Sequence, residues 1–377
     1  MLLKTFGWSF AITVLGLGLA GVLWGWQGLA VVGILSILEI SLSFDNAVIN
    51  AGILRKMNAF WQKIFLTIGI LVAVFGMRLV FPVVIVAVTA KMGPVEAVQL
   101  AINDKAHYQE LVTSAHPAIA AFGGIFLLMI FLDFLFEGRE HTWLSWIEKP
   151  LARIGKLDTL SIIVALAALL VSALTVAPHA AHGGGDKTVT VLLAGIAGLI
   201  TYLVVGGVSG YFEGRLEDDE TDDEDGAERA AVAKKGGGSV VGLAGKAAFF
   251  MFLYLEVIDA SFSFDGVIGA FAITNDIFEM ALGLGIGAMY IRSLTVFLVR
   301  KGTLDDYVYL EHGAHYAIGA LGVILLVTIR YEVNEVITGL VGVVLIALSF
   351  GSSVLRNRRE GRPGQDVPAH PEVTSRV

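Results

Sequence analysis

Long apolar runs separated by short charged segments organise this chain. A helix needs about 20 apolar residues to cross a bilayer. Ten segments meet that need: 6–26, 28–54, 64–90, 117–137, 159–178, 188–209, 241–272, 277–299, 314–331 and 334–355. The pattern predicts an all-α polytopic membrane protein. The first run follows Lys4 and ends in no small-x-small cleavage site, so it reads as a span and not as a signal peptide. The 28–54 and 241–272 segments are long and carry acids, which predicts that each is tilted or broken.

Composition agrees with this reading. Of 377 residues, 56% are hydrophobic and 16% charged, against roughly 45–50% and about 25% in soluble domains. The net charge of −8 is concentrated in one linker and gives no sign of a nucleic-acid partner. The chain has no cysteine, which excludes disulfides, thiolate metal sites and cysteine nucleophiles. It also has no HExxH or GxSxG motif, so an intramembrane hydrolase is disfavoured. The chain is read as a non-enzyme with no prosthetic group.

Lys and Arg set the orientation. With both termini on one side, that side receives 20 basic residues and the other receives 4, Lys91, Lys105, Lys187 and Arg330, while Arg78 and Arg292 lie inside spans. Both termini are therefore expected in the cytoplasm, with the chain in a bacterial cytoplasmic membrane. The linker 213–240 carries the acidic block "EDDETDDEDGAE" and then "KKGGGS". It reads as a flexible cytoplasmic loop, or as a gatherer of cations near a pore mouth. The tail 356–377 is expected to be disordered.

The chain repeats itself internally. "EISLSFDNAVI" (Glu39–Ile49) matches "DASFSFDGVIG" (Asp259–Gly269), with Ser41, Ser43, Phe44 and Asp45 over Ser261, Ser263, Phe264 and Asp265. "HPAIAAFGGIFLLMIFLD" (His116–Asp133) aligns without gaps to "HYAIGALGVILLVTIRYE" (His315–Glu332). Spans 2–4 thus correspond to spans 7–9. The offset of five spans reverses direction across the membrane, so the repeats 28–137 and 241–332 are expected to be inverted, an architecture of secondary transporters. The segment 138–212 supplies two connecting spans, and 333–355 the last.

Acids at membrane depth are costly, by about 2.5–3.5 kcal/mol or more each, unless they face water, a cation or a partner. Glu39, Asp45, Glu256, Asp259 and Asp265 are such acids. On a straight helix Glu39, Ser43 and Asn46 share a face, whereas Asp45 lies about 120° round and ~9 Å along from Glu39. One ion reaches both only if the helix unwinds between them, and Gly266 would tolerate such a break in the second copy. Carboxylates, the Asn46 amide and the Ser43 and Ser263 hydroxyls form a hard-oxygen set that suits Mg, Ca or Mn better than Cu or Cd. Zinc is less favoured. Surplus negative charge would suit proton-coupled exchange. Interhelical hydrogen bonding is the structural alternative.

Arg78 and Arg292 read equally as counter-ions, as gate residues, or as snorkelling and packing residues. His312, in "EHGAHY" (Glu311–Tyr316), reads first as structural and second as a proton relay or metal contact.

"ExxLSFDN" (Glu39–Asn46) and "ExxDxxFSFDG" (Glu256–Gly266) resemble the two signatures of the TerC family of integral membrane proteins, in a divergent branch. The resemblance covers about 28–353. It departs at Gly266, where many members carry Ser, and lacks the usual following Pro. The family resembles the LysE-type transporter superfamily, built on inverted three-helix repeats, and is associated with manganese efflux and, by name, tellurium resistance. The resemblance implies export of a divalent cation, Mn²⁺ first. It carries over Glu39, Asp45, Asn46, Asp259 and Asp265 as the site, with Glu256 adjoining. Asp45 and Asp265 are the first-choice ligands.

Two rivals stand beside this reading. One is export of Ca²⁺ or an amino acid, with Arg78 or Arg292 facing a substrate carboxylate. The other is a membrane scaffold for a metal or tellurite stress-response complex, docked through the acidic linker. A homodimer is left open by the sequence.

Overall fold

The computed structural model describes residues 2–55, 57–72, 76, 80–139, 141–155, 159–221, 245–271, 273–274, 276–301 and 307–359. Side chains outside the description include those of Asp45, Ser263 and Asp265, and Arg78 lies wholly outside it. The acidic linker beyond Thr221 and the tail from 360 also lie outside the described residues.

The described backbone is helical, and no β-strand is present among the described residues. Helix α1 (Leu2–Leu42) folds back on itself at Gly25, whose φ of 68° and ψ of −158° suit a residue without a β-carbon. Leu29 lies against Gly21 and Leu17 against Gly33, so the two arms run antiparallel. The turn falls inside the expected span 6–26, one residue before its end.

Helix α2 (Phe44–Leu54) continues the second arm after a bend at Ser43, which has φ −102° and ψ 15°. Then come α3 (Ala59–Leu71), α4 (Phe81–Thr89), α5 (Pro94–Asn103) and α6 (Lys105–Ser114). The expected span 64–90 is described except at 73–75 and 77–79, chiefly as α3 and α4. Next are α7 (His116–Phe136), α8 (Ser145–Ile154), α9 (Leu160–Thr175) and α10 (Thr188–Thr221). The last four are α11 (Gly245–Phe271), α12 (Ile277–Lys301), α13 (Leu310–Thr328) and α14 (Glu335–Arg359). Helix α10 carries helical backbone into the start of the acidic segment.

Seven helical stretches among the described residues are long and apolar enough to cross a membrane: Phe6–Ile40, His116–Phe136, Leu160–His179, Thr188–Gly206, Ile277–Val299, Leu310–Thr328 and Ile337–Arg359. Exposed Trp8, Val22 and Trp26 on α1, and Leu340, Leu348 and Leu355 on α14, give these helices outward apolar faces. Such faces are stable only in lipid or under other apolar cover. The protein is an all-α membrane protein.

Two packing relationships position the site. Both arms of α1 lie on α12. The first arm is pinned by Ser9, which donates to the Met289 carbonyl at 3.1 Å, and by Thr13, 3.0 Å from the Tyr290 hydroxyl. The second arm is pinned by Ser36, which donates to the Gly283 carbonyl at 3.0 Å. Helices α7 and α13 cross where Gly124 and Gly322 meet backbone to backbone. A β-carbon on Gly124 would stand 3.1 Å from the Gly322 carbonyl, and one on Gly322 would stand 3.0 Å from the Gly124 carbonyl. Small residues at such crossings are how apolar helices gain close contact where no water is available to drive them together.

Candidate functional site

The bend at Ser43 separates Glu39, on α1, from Asp45 and Asn46, on α2. The bend is one residue long and does not unwind the helix, since the Ser43 amide still donates to the Glu39 carbonyl at 3.0 Å and the Ala47 amide to the Ser43 carbonyl at 3.4 Å. The second motif differs: α11 runs as an unbroken helix from Gly245 to Phe271, so the tolerance for a break read at Gly266 is not used. Residues Glu256 and Asp259, three apart, share one face of α11, as helical geometry requires.

The two motifs meet at Asp259. Its Oδ1 accepts from the Asn46 side-chain amide and, at 3.1 Å, from that of Asn50. Its Oδ2 accepts from Arg292 Nη2 at 2.6 Å. Asp259, Asn46, Asn50, Glu256 and Arg292 are all buried. A buried charge is stable only when paired and hydrogen-bonded, and Asp259 is both.

Arg292 comes from α12. Its Nη2 also donates to the Gly69 carbonyl of α3 at 3.2 Å, and its guanidinium lies 3.8 Å from the centre of the Phe65 ring. Of its sequence readings, the counter-ion is the one this geometry matches. Glu256 Oε1 lies 3.9 Å from the same Nη2, and neither of its carboxylate oxygens has a hydrogen-bond partner among the described residues. Arg292 Nη1 likewise has none among them.

Glu39 occupies a pocket shaped by two glycines. Ser43 Oγ donates to its Oε1 at 2.8 Å. A β-carbon on Gly266 would stand 3.1 Å from Oε2, and one on Gly287 would stand 2.5 Å from the Glu39 β-carbon. A side chain at Gly266 would press on the Glu39 carboxylate.

Among the described residues no three His, Asp or Glu side chains are grouped so as to hold a metal ion. Asp45 and Asp265, the first-choice ligands, have side chains outside the description. His312 is engaged elsewhere. Its Nε2 lies 2.9 Å from the His141 carbonyl and 3.6 Å from Glu148, and its ring packs edge-on to Phe134. Glu148 itself accepts from the Trp143 and Leu144 amides and from the Tyr316 hydroxyl. A cavity of about 250 Å³ adjoins this cluster, lined by Arg139, Glu148, Lys149 and Arg153 among others. These residues belong to the α7–α8 end of the protein.

Sequence reasoning missed Asn50, Phe65 and Gly69. Asn50 was detectable as a second amide four residues after Asn46 in an apolar run. Phe65 and Gly69 carried no local signal, since they matter only for what faces them. Asp133, which the sequence offers as a support to the site or as a residue near an interface, accepts from the Tyr202 hydroxyl at 2.5 Å.

An all-helical membrane protein whose buried acids meet amides and an arginine in its interior is the class that fold and site define. The chain belongs to the family described as Protein of unknown function (DUF475), which matches residues 44–360. That stretch holds Asn46, Glu256, Asp259 and Arg292, and begins after Glu39. No curated protein and no solved structure matches the chain.

Proposed function

We propose that the chain is a secondary transporter that exports a divalent cation, Mn²⁺ first, from the cytoplasm, in exchange for protons. Access would alternate between two inverted repeats, 28–137 and 241–332, within about ten spans. Both termini would be cytoplasmic. The observation that carries this reading is the hydrogen bond from Asn46 to Asp259, which joins the two acidic motifs in the protein interior.

Three further features support it. The bend at Ser43 falls between the acids of the first motif, where further unwinding would turn polar groups toward a substrate. Gly124 and Gly322, which touch at the α7–α13 crossing, stand one position apart in the alignment of the two repeats. Near-equivalent residues meeting each other is what a two-fold axis between repeats produces. The donors at hand, carboxylates and Asn amides, are hard oxygens, and the TerC resemblance narrows such ions to manganese.

Mn²⁺ flux into proteoliposomes tests the reading, comparing wild type with Asp45→Ala, Asp259→Ala and Asp265→Ala. Flux in the wild type that collapses in these variants supports it. Unchanged flux in Asp45→Ala and Asp265→Ala would sink the site assignment. Flux that ignores an imposed proton gradient would sink the exchange.

A further inference from the structure

Arg292 sits where the proposed substrate would have to bind. Its Nη2 holds Asp259 Oδ2 at 2.6 Å, and a second buried acid of the same helix, Glu256, is 3.9 Å from that same nitrogen. A charge-assisted hydrogen bond is about 2.7–2.9 Å long, so a shift of about 1 Å carries the guanidinium from one carboxylate to the other. Both Glu256 oxygens are buried without a hydrogen-bond partner among the described residues. An acid in that state is incomplete and ready to receive a cation.

We infer that Arg292 is a tethered surrogate cation. It neutralises Asp259 until a divalent ion takes that carboxylate, and it then turns onto Glu256, so that only a doubly charged ion displaces it. This inference rests on the transport reading above and concerns selectivity at the same site.

The surroundings fit such a move. The Phe65 ring at 3.8 Å offers a face over which a planar guanidinium slides while keeping its cation–π attraction. The Gly69 carbonyl, 3.2 Å from Nη2, gives a hydrogen bond that does not depend on either acid. Gly69 also leaves Glu256 its place, because a β-carbon there would stand 3.0 Å from Glu256 Oε1. Asn50 turns its amide nitrogen to Asp259 and keeps a buried carbonyl oxygen without a hydrogen-bond partner among the described residues.

Charge explains the selection. A monovalent ion at Asp259 would replace the Arg292 charge one for one, with no added attraction to offset the guanidinium hydrogen bond it displaces. A divalent ion doubles the attraction to Asp259. The freed arginine then completes Glu256, and each acid ends with its own cation.

The test is Mn²⁺ binding to the purified full-length protein, read from the spin-resonance signal of free Mn²⁺, with and without physiological K⁺. Removing the competitor in Arg292→Gln should tighten Mn²⁺ binding roughly tenfold and make it newly sensitive to K⁺. Glu256→Gln should weaken binding by a similar factor, because Arg292 then has nowhere to go. In Arg292→Gln/Glu256→Gln the second substitution should have lost its effect, the signature of two residues acting through one another. An equal effect of Glu256→Gln in both backgrounds would make Glu256 a direct ligand and overturn the inference.

Unchanged or weaker binding in Arg292→Gln also overturns the inference, and leaves the transport reading standing if Asp259→Ala still abolishes binding. A wild type that neither binds nor moves Mn²⁺ overturns both. Should Arg292→Gln fail to fold, Arg292→Lys decides. Its ammonium keeps the charge but loses the planar fork, so binding should tighten while staying insensitive to K⁺. Wild-type affinity in that variant counts against the inference.

Discussion

Asn46 donates its side-chain amide to Asp259 across a separation of 213 residues, and both groups are buried. Each belongs to an acidic motif that interrupts an otherwise apolar stretch. Within the first motif Ser43 satisfies Glu39, but Asp259 draws its partners from other helices. Among the described residues Asp259 is satisfied by Asn46 and Asn50 from α2 together with Arg292 from α12. Polar groups that complete one another from separate helices hold those helices in one arrangement, because any slip leaves buried donors or acceptors unpaired.

Breaking this network from one side should be more harmful than removing the pair. Asp259→Ala leaves the Arg292 charge buried and unpaired, a loss of roughly 3–5 kcal/mol. Asp259→Ala/Arg292→Leu removes both charges and should recover most of the stability, though not the Mn²⁺ flux. Thermal unfolding in detergent alongside flux separates the two effects. A double variant no more stable than the single one contradicts the pairing.

Asn50 should matter although it lies outside both motifs. Asn50→Ala removes one of the hydrogen bonds to Asp259 Oδ1 and should cost about 1–1.5 kcal/mol of stability while lowering flux. Asn50→Asp sets a second carboxylate beside Asp259 and should be worse at neutral pH. Equal stability of all three proteins would mean that the bond at 3.1 Å contributes nothing.

Gly287 should not tolerate even a methyl group. Its added β-carbon would stand 2.5 Å from the Glu39 β-carbon and 2.9 Å from the Ser36 carbonyl. Gly287→Ala therefore forces the second arm of α1 away from α12, with an expected loss of about 1–3 kcal/mol. Gly351→Ala is the control, since nothing lies within 4 Å of its β-carbon position. Equal melting temperatures for the two variants would contradict the close packing.

A pH effect is expected at the end of α12. Lys105 Nζ lies 2.5 Å from Asp276 Oδ2, and Asp276 Oδ1 accepts from the Phe278 amide at 2.9 Å. Burial alone raises the Asp276 carboxyl, but these hydrogen bonds and the Lys105 charge outweigh it and hold its pKa below the ordinary range. A depressed folded pKa stabilises fully above the unfolded value of about 3.9, and that contribution is lost as pH falls through the folded value. Asp276→Asn keeps the helix cap and removes the charge. It should lower stability at neutral pH by up to about 1 kcal/mol, with the difference closing in acid. A difference that grows as pH falls contradicts the assignment.

The acidic segment discriminates the transporter from the scaffold. Deleting Glu217–Glu228 should leave Mn²⁺ flux in proteoliposomes intact. If cells then lose metal or tellurite resistance while flux persists, docking through that segment is the better reading.

Much of the helical order was legible from residues alone. The expected spans 117–137, 159–178 and 277–299 coincide with α7, α9 and α12 to within a few residues, because helix length and apolar composition are local properties. The bend at Ser43 left a local mark, a polar cluster within an apolar run, whereas the turn at Gly25 falls inside the expected span 6–26. The site was legible only in part. Asn46, Glu256 and Asp259 stood out as polar groups in apolar surroundings. Arg292 stood out too, but without a partner. Phe65 and Gly69 did not, since an aromatic ring and a glycine in an apolar helix look like ordinary packing.

By itself the sequence determined that this is an all-helical membrane protein with two related acidic motifs in its apolar stretches. Hydrophobic length and the cost of unpaired charge decide those matters residue by residue. Only the tertiary structure decided which charge answers which. It set Arg292 on Asp259 with Glu256 just out of reach, put Asn50 beside Asn46, and closed Gly266 and Gly287 around Glu39. Those pairings depend on distances of a few ångströms between helices far apart in the chain, and no local pattern encodes such distances.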